Sequence, residues 1–326
     1  MEIIRSKGLN KTYRRFEKEA GLMGSAKSLF RRKMVEKAAV QDFDLGVSDG
    51  EFVGLIGPNG AGKTTLVKML TGIVAPTSGE LSVLGYWPNK LADAFKRQYA
   101  LVMGQKSQLF FELTAADSFL LFKEMYDIPA EKYRDGLGYF VELFGVRDQL
   151  NVQVRTLSLG ERMKMELIAA LLHNPKLLFL DEPTIGLDAV AQKQIRSFLA
   201  EVNRDRGTTI LLTSHYMEDI RSLCKRCVVI NGGKKLYDGD THGLFDKYQV
   251  HRKLTVTFAA ETEYRPNCPV GMLEKTPYHM AFLAKKADVQ PILRDMLLRC
   301  EITDIAIDEE DIGQVVERIY GEAGAR

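Results

Sequence analysis

The stretch with the clearest chemical pattern is GPNGAGKTT, which fits the phosphate-binding motif G-x-x-x-x-G-K-[ST]. Its members are Gly57, Pro58, Asn59, Gly60, Ala61, Gly62, Lys63, Thr64 and Thr65. Glycines allow successive backbone N–H groups to turn toward one anion, whereas a Cβ would obstruct that approach. Lys63 supplies a mobile positive charge for the β- and γ-phosphates, and the Thr64 hydroxyl supplies a ligand for Mg²⁺. The motif therefore predicts a binding site for a nucleoside triphosphate such as ATP.

The residues on either side of this loop have the patterns of a strand and a helix. Residues 51–56 (EFVGLI) form a short apolar run that is typical of a buried strand. After the loop, Leu66, Met69 and Leu70 recur at helical spacing. Because the N-terminus of a helix carries partial positive charge, a helix that starts here would add to the attraction for phosphate. Strand, loop and helix together are the context that the motif requires.

The composition is that of a globular protein with a sizeable core. A chain of 326 residues with 45% apolar content predicts one large domain and a smaller one. The net charge of +2 gives no indication of a nucleic-acid partner. No apolar run approaches the ~20 residues of a membrane span, and the start has no signal-peptide pattern, so we expect a cytosolic protein. Cysteine is too sparse for a disulfide framework.

Polar residues that could act on a phosphate follow several of the apolar runs. Gln105 follows YALVMG, Asp181 and Glu182 end LLFLDE, and His215 ends TTILLTSH. Apolar strands that alternate with helices predict an α/β fold with a mainly parallel sheet covered on both faces. Ligands bind beyond the carboxyl ends of the strands in such sheets. We therefore expect these residues to lie at the same edge as the phosphate-binding loop.

A helical region is predicted to follow Gln105, as a subdomain over about residues 106–173. Helical patterns run from about 114 to 144, with a break near Pro129. The next helix lies in LSLGERMKMELIAALLHNP, where Ser158 is placed as its N-cap. The helices make this region a separate layer beside the sheet.

Two further segments have patterns of their own. Residues 14–37 are basic with scattered apolar residues, which fits either an exposed helical insertion or an amphipathic segment against a membrane or partner. Residues 249–326 alternate like half-buried strands between helical patterns, so we predict a small α+β domain there. The first domain then covers residues 1–248.

The order of the phosphate-binding loop, Gln105, LSLGE, LLFLDEP, GLD and TSH resembles the nucleotide-binding subunit of an ATP-binding cassette (ABC) transporter. The resemblance covers about residues 1 to 245. The segments VMGQKSQL, DEPTIGLD and LLTSHYMEDI are similar to bacterial exporter ATPases of the daunorubicin and viologen type. The resemblance to the ABC transporter subunit implies a P-loop NTPase-type fold, with a mainly parallel sheet, an antiparallel β portion and a helical subdomain.

The resemblance also implies a role for each polar residue around the nucleotide. Tyr13 stacks on adenine, and Gln105 reaches Mg²⁺ and the attacking water. Asp181 holds Mg²⁺, and Glu182 is the general base that activates water. His215 contacts the γ-phosphate. The implied cofactors are ATP and Mg²⁺, and the implied activity is ATP hydrolysis.

The segment LSLGE is similar to the signature loop of this family, usually LSGGQ. Ser158 and Gly160 match it, whereas Leu159 and Glu161 depart from it, and we expect Glu161 to point outward. In the family this loop completes the ATP site of the other subunit, and Asp188 is the matching residue between the two sites. The resemblance therefore implies a homodimer that encloses ATP between its two copies.

We expect this subunit to work with a separate multi-span permease, as a peripheral protein on the cytoplasmic face of the inner (plasma) membrane. Within residues 106–126 the apolar side chains form a candidate docking face, or else they pack inside the helical region. They are Leu109, Phe110, Phe111, Phe119, Leu120 and Phe122. An alternative function is a soluble ABC ATPase that acts on ribosomes or DNA, and another is a regulatory switch that does not hydrolyse ATP. The transported substrate does not follow from the sequence.

Overall fold

The computed structural model describes residues 1–17, 33–214, 216–248, 250–310 and 318–319. The chain divides into two compact units, Met1–Thr241 and His242–Arg326. The boundary predicted from the sequence, between residues 248 and 249, lies a few residues further along the chain. Among the residues that the structure describes, no helix combines the length and the apolar character needed to cross a membrane.

Strands and helices alternate through most of the first unit, and the numbering of the elements continues into the second unit. The strands are β1 (Glu2–Glu17), β2 (Lys33–Ser48), β3 (Phe52–Ile56), β4 (Ser78–Val83), β5 (Tyr99–Met103), β6 (Leu177–Asp181), β7 (Thr209–Ser214), β8 (Arg226–Asn231), β9 (Lys234–Asp240), β10 (His251–Phe258), β11 (Gly271–Lys275), β12 (His279–Lys285) and β13 (Ile302–Glu309). The helices are α1 (Lys63–Leu70), α2 (Asp93–Lys96), α3 (Ala115–Met125), α4 (Ala130–Phe144), α5 (Leu159–Leu171), α6 (Ala189–Arg206), α7 (Met217–Leu223), α8 (Thr241–Tyr248) and α9 (Val289–Arg299).

A six-stranded sheet with the order β5-β6-β7-β3-β8-β9 carries the site. Neighbouring strands from β5 to β8 are parallel, and β9 is antiparallel to β8. Every residue of β3, β6 and β7 is buried, whereas β5 lies at an edge and alternates in burial. The α/β fold and its mainly parallel sheet are confirmed.

The predicted antiparallel portion is a three-stranded sheet with the order β2-β1-β4. Strand β1 lies in the centre of this sheet and continues to Glu17. Its register with β2 pairs Glu17 with Lys33. The two ends of the predicted 14–37 insertion are therefore strand rather than helix. The middle of that insertion, residues 18–32, lies outside the described residues.

The main core fills the space between the two sheets and around α1. Leu66, Val67, Met69 and Leu70 of α1 pack in one cluster with apolar residues from both sheets. Burial of this apolar surface fixes the helix that follows the phosphate-binding loop, because removing apolar area from water is the main favourable term in folding. The start of α1 is thereby held at one edge of the sheet.

The helical region contains α3, α4 and α5, and the chain breaks between α3 and α4 near Pro129 as predicted. Pro129 is the N-cap of α4. Both α3 and α5 begin with a capping box, in which a hydroxyl and an acidic side chain satisfy main-chain N–H groups reciprocally. Thr114 caps α3 and Ser158 caps α5.

The second unit contains a four-stranded antiparallel sheet with the order β11-β12-β10-β13. Helix α9 packs on this sheet through Ile292 and Met296, which are buried with Leu254, Val256 and Phe282. Strand β11 was not predicted from the sequence, because its residues are all exposed and lack an apolar alternation. Much of the C-terminal part of the predicted small domain, residues 311–317 and 320–326, lies outside the described residues.

Candidate functional site: a triphosphate pocket at the sheet edge

The phosphate-binding loop connects β3 to α1, and its glycines are required by close packing. A Cβ on Gly57 would lie 2.2 Å from the Ile230 carbonyl oxygen. Gly62 has a φ of 113°, and a Cβ there would lie 2.4 Å from the Ala39 carbonyl oxygen. Any larger residue at either position would displace the neighbouring main chain.

Main-chain hydrogen bonds attach this loop to the turn between β8 and β9. Gly233 N donates to the Ala61 carbonyl at 2.8 Å, and Gln41 N donates to the Gly233 carbonyl at 2.8 Å. Within the loop, Ala61 N donates to the Pro58 carbonyl at 3.1 Å. The loop is therefore anchored to strands of both sheets.

Lys63 is the first residue of α1, and its ammonium group is buried in the loop. Its side chain is 5% exposed, and Nζ lies 3.4 Å from Glu182 Oε1. Nζ also donates to the carbonyls of Gly57 at 2.7 Å and Pro58 at 3.3 Å. The loop carbonyls and the acid thus hold the cation in place at the start of the helix.

Asp181 ends β6 beside the neighbouring strand β7, and Glu182 follows it. Thr213 Oγ1 donates to Asp181 Oδ1 at 2.6 Å. Glu182 N donates to the Thr213 carbonyl at 3.0 Å and to its hydroxyl at 3.1 Å. Thr213 therefore fixes both acids, and Glu182 turns out of the strand with a φ of 54°.

A pocket of about 430 Å³ lies at this edge of the sheet. The predicted site residues that line it are Tyr13, Asn59, Gly60, Ala61, Gly62, Lys63, Thr64, Thr65, Gln105, Asp181 and Glu182. The remaining lining residues are Lys37, Ala39, Lys68, Met103 and Lys106. Residues far apart in the sequence are thus brought together around one cavity, as the rule for parallel sheets predicts.

Tyr13 lies on β1 and lines the pocket. It is directly opposite Lys37 of β2 in the strand register. Lys11 Nζ lies 5.1 Å from the centroid of the Tyr13 ring. An aromatic ring beside two lysines suits a planar base that continues into an anionic chain.

The residues of the predicted signature loop lie elsewhere. Among the described residues, the lining of this pocket does not include Ser158, Gly160 or Asp188. Ser158 caps α5, and Asp188 caps α6 by accepting a hydrogen bond from Ala191 N at 2.8 Å. His215 lies outside the described residues.

Glu161, the second departure from the family's signature loop, caps its own helix. Its carboxylate turns back to the start of α5 and accepts from Ser158 N at 2.9 Å and from Ser158 Oγ at 2.8 Å. The Ser158 hydroxyl accounts for the largest part of the lowered pKa of Glu161, since it donates to the charged form. The departure from LSGGQ therefore completes a helix cap.

The donor set of the pocket suits Mg²⁺ and a triphosphate. Thr64, Gln105 and Asp181 offer a hydroxyl, an amide oxygen and a carboxylate, which are the oxygen ligands that Mg²⁺ prefers. A Cβ on Gly60, which has a φ of 81°, would meet no atom within 4 Å, so the loop borders open space at this residue. Lys63, Lys37 and Lys106 supply positive charge around the same cavity.

Sequence reasoning missed Thr213 and the lysines Lys37 and Lys106. Threonine is common in strands, so Thr213 gave no sign of its contacts with two acids. Lys37 is brought to the pocket by its register with Tyr13, which only the paired strands reveal. Lys106 directly follows Gln105 in the sequence, and this position could have indicated that Lys106 lies at the pocket.

Comparison with known proteins gives a consistent set of relatives. A family model described as ABC transporter matches residues 40–185. The chain is 32% identical over 216 residues to the ABC transporter ATP-binding protein NatA of Bacillus subtilis, covering 66% of this chain and 87% of NatA. It is 35% identical to the Nod factor export ATP-binding protein I of Rhizobium etli, covering 65% of this chain and 66% of that protein.

Solved structures share the fold. The ATP-binding subunit of an ABC transporter superposes with a TM-score of 0.61 at 24% identity, covering 76% of this chain and 93% of that chain. A dimeric ATP-binding cassette in a post-hydrolysis state, bound to ADP and Pi, has a TM-score of 0.60 at 23% identity. It covers 73% of this chain and 98% of that chain.

Proposed function

The chain belongs to the ABC transporter family as an ATP-binding subunit with ATPase activity, and we propose that it powers export through a separate membrane permease. The observation that carries the proposal is the pocket in which the loop lysine, the strand-end acids and Gln105 converge. Relatives named for Nod factor export and linearmycin resistance favour the export direction. In this proposal the protein binds the cytoplasmic face of the inner (plasma) membrane through its partner.

The mechanism that we propose is positioning and charge stabilisation of a phosphoryl transfer. The N–H groups of the loop and the Lys63 ammonium bind the β- and γ-phosphates. Glu182 accepts a proton from the attacking water, while Thr213 keeps its main chain in place. Thr64, Asp181 and Gln105 would hold Mg²⁺, which supplies charge neutralisation for the phosphate oxygens when it is bound. His215 is proposed to contact the γ-phosphate, and Tyr13 to stack on adenine.

A second copy of the chain would complete each site. Ser158, Gly160 and Asp188 are proposed to contact the ATP held by the partner copy, in a head-to-tail pair with two-fold symmetry. ATP then favours the closed pair, and hydrolysis removes that preference. This cycle is the mechanical output that a permease could use.

We propose that the permease contacts an exposed apolar patch on the helical region. The residues that we assign to this patch are each at least 38% exposed: Phe110, Phe111, Leu113, Leu120, Leu121 and Met125. The candidate docking face predicted from the sequence is corrected in part, because Leu109, Phe119 and Phe122 are buried in the protein. An apolar patch of this kind suits a protein partner. The segment that carries it begins directly after Gln105, so a shift of the patch can reach the nucleotide pocket.

The alternative, a soluble ABC ATPase that acts on ribosomes or DNA, is less well supported. A net charge of +2 gives little general attraction to nucleic acid. The relatives named above are transport or resistance proteins. The two functions differ in which cellular fraction retains the protein.

The test is capture of the permease by the tagged chain from detergent-solubilised membranes of its own organism. We expect a multi-span protein to co-purify with the wild type and to be lost with Phe110→Asp, because a charge would be buried in the contact. Basal ATPase activity of the isolated Phe110→Asp variant should equal that of the wild type. Lys132→Asp, on an exposed site of α4, is the matched control and should retain the partner.

The export function would be contradicted if ribosomes or DNA were retained in place of a membrane protein. Retention of the permease by Phe110→Asp would place the docking surface elsewhere. Unfolding of that variant, measured by circular dichroism, would mean that Phe110 supports the core.

A further inference from the structure

Asp219 of α7 is a buried carboxylate at the centre of a polar cluster. It has no exposed surface, and Oδ2 accepts from Thr184 Oγ1 at 2.5 Å and from Ser214 Oγ at 3.0 Å. Oδ1 accepts from Arg196 Nη1 at 3.0 Å. We call Asp219, Thr184, Ser214 and Arg196 the Asp219 cluster. A buried carboxylate is retained at this position because charge and hydrogen bonds are both supplied to it.

The Asp219 cluster contacts two segments next to Glu182: the turn that follows Glu182 in the chain, and the neighbouring strand β7. Thr184 lies two residues after Glu182 in the turn that leaves β6. Ser214 directly follows Thr213, whose carbonyl and hydroxyl both accept from Glu182 N. One carboxylate therefore fixes the turn after Glu182 and the strand beside it.

Glu182 needs such support because its backbone conformation is unfavourable. Its φ of 54° is in the left-handed region, which residues with a Cβ rarely adopt. A conformation of this kind persists only where the surrounding structure holds it. The Glu182 carbonyl is also closely packed, since a Cβ on Gly104 would lie 2.1 Å from its oxygen.

We propose that Asp219 is a positioning residue for ATP hydrolysis. By holding Thr184 and Ser214, it keeps the Glu182 turn in place, with the carboxylate 3.4 Å from Lys63 Nζ. It acts through Glu182 and not on the nucleotide, because the described lining of the pocket does not include any residue of the Asp219 cluster. The inference rests on the proposed role of Glu182 as the general base.

The test removes one hydrogen bond of the cluster and leaves its charges unchanged. Thr184→Val keeps the size and branching of the side chain but cannot donate to Asp219, and Thr184→Ser keeps the hydroxyl as the matched control. We expect kcat for ATP hydrolysis to fall roughly 10- to 100-fold in Thr184→Val, because a small misplacement of a catalytic group is costly. KM and the ATP dissociation constant should not change. Thr184→Ser should restore kcat.

A second measurement separates positioning from general damage. In a Glu182→Gln background there is no general base left to position, so Thr184→Val should not lower the residual single-turnover rate further. An equal fall in both backgrounds would overturn the proposal, and so would wild-type kcat in Thr184→Val. If Thr184→Val does not fold, Ser214→Ala is subject to the same two criteria.

The proposed function is tested separately by Glu182→Gln alone. Wild-type turnover in that variant would remove Glu182 from the role of general base, whatever the Thr184 variants show. Loss of turnover in Glu182→Gln with normal turnover in Thr184→Val would leave the function in place and reject the inference.

Discussion

Two regions of the first unit bury carboxylates for different purposes. In the nucleotide pocket, Asp181 accepts from the Thr213 hydroxyl and borders the cavity, and Glu182 faces the Lys63 ammonium. In the helical region, Glu166 of α5 is 3% exposed and accepts from the Ser107 hydroxyl at 2.5 Å. Glu166 also accepts from the N–H groups of Gln108 and Leu109.

The two regions differ in what their carboxylate oxygens contact. Burial raises the pKa of Glu166, and both of its oxygens are occupied by the chain segment that follows Gln105. The acids of the pocket border open space, where a ligand can reach them. In the helical region a buried carboxylate thus attaches one helix to a loop, whereas we propose that the carboxylates of the pocket take part in the chemistry. Variants of the two regions should therefore differ in kind, with turnover lost in one and stability in the other.

The largest effect is expected at Glu182. In Glu182→Gln, turnover should fall about 10²- to 10⁴-fold, because the amide cannot accept the proton from water. ATP binding should remain, since the phosphates are held by the loop. Steady-state phosphate release and calorimetric titration with ATP measure the two quantities. Glu142→Gln, at an exposed position of α4, is the control, and wild-type turnover in Glu182→Gln would show that another group is the base.

A smaller effect is expected for Lys63→Ala. This variant should weaken ATP binding and not only slow the chemical step. Removal of a charged hydrogen-bond donor costs about 1.5–3 kcal/mol, so the ATP dissociation constant should rise roughly 10- to 100-fold in Lys63→Ala. Isothermal titration measures the affinity directly, with Lys132→Ala as the control for a lysine outside the pocket. Unchanged affinity would mean that the loop N–H groups and the other lysines of the pocket bind the phosphates without it.

The sequence allowed the position of the pocket to be predicted because that depends on a general rule. Apolar strands that alternate with helices form a parallel sheet covered on both faces, and polar residues at the carboxyl ends of its strands share an edge. This reasoning brought Gln105, Asp181 and Glu182 to the phosphate-binding loop. The residue types and their order were sufficient for that step.

The contacts that the sequence did not predict are made between residues that lie far apart in the chain. Glu166 occupies a polar position of an amphipathic helix, and its contacts with Ser107 and Gln108 exist only after the helix packs against the edge strand. Likewise, the burial of Phe119 and the exposure of Phe110 are set by tertiary packing, because both are apolar residues in the same short segment. Local patterns do not distinguish them.

The smallest effect is expected at His173, in the helical region. Its ring stacks on Tyr126 with centroids 4.0 Å apart, and Nε2 lies 3.2 Å from the Tyr99 carbonyl oxygen. Burial lowers the pKa of His173 from 6.5 to about 4. The folded protein therefore resists protonation of this ring in a pH range where the unfolded chain accepts it.

The sign of the effect follows from proton binding. Between pH 6.5 and about 4 the unfolded chain binds more protons at this position, so the free energy of unfolding falls as the pH falls. At pH 5 the loss is about 2 kcal/mol relative to pH 8, from the two pKa values. Urea unfolding of the wild type and of His173→Phe, at both pH values, measures it.

The His173→Phe variant keeps a ring against Tyr126 and does not titrate, so its loss of stability between pH 8 and pH 5 should be smaller by about 2 kcal/mol. ATP turnover of His173→Phe at pH 8 should equal that of the wild type, because the ring does not border the nucleotide pocket in the described structure. An equal pH dependence of the free energy of unfolding in wild type and His173→Phe would show that the His173 ring is hydrated in the folded protein. Loss of ATP turnover in His173→Phe would show that the helical region and the pocket are not separate in function.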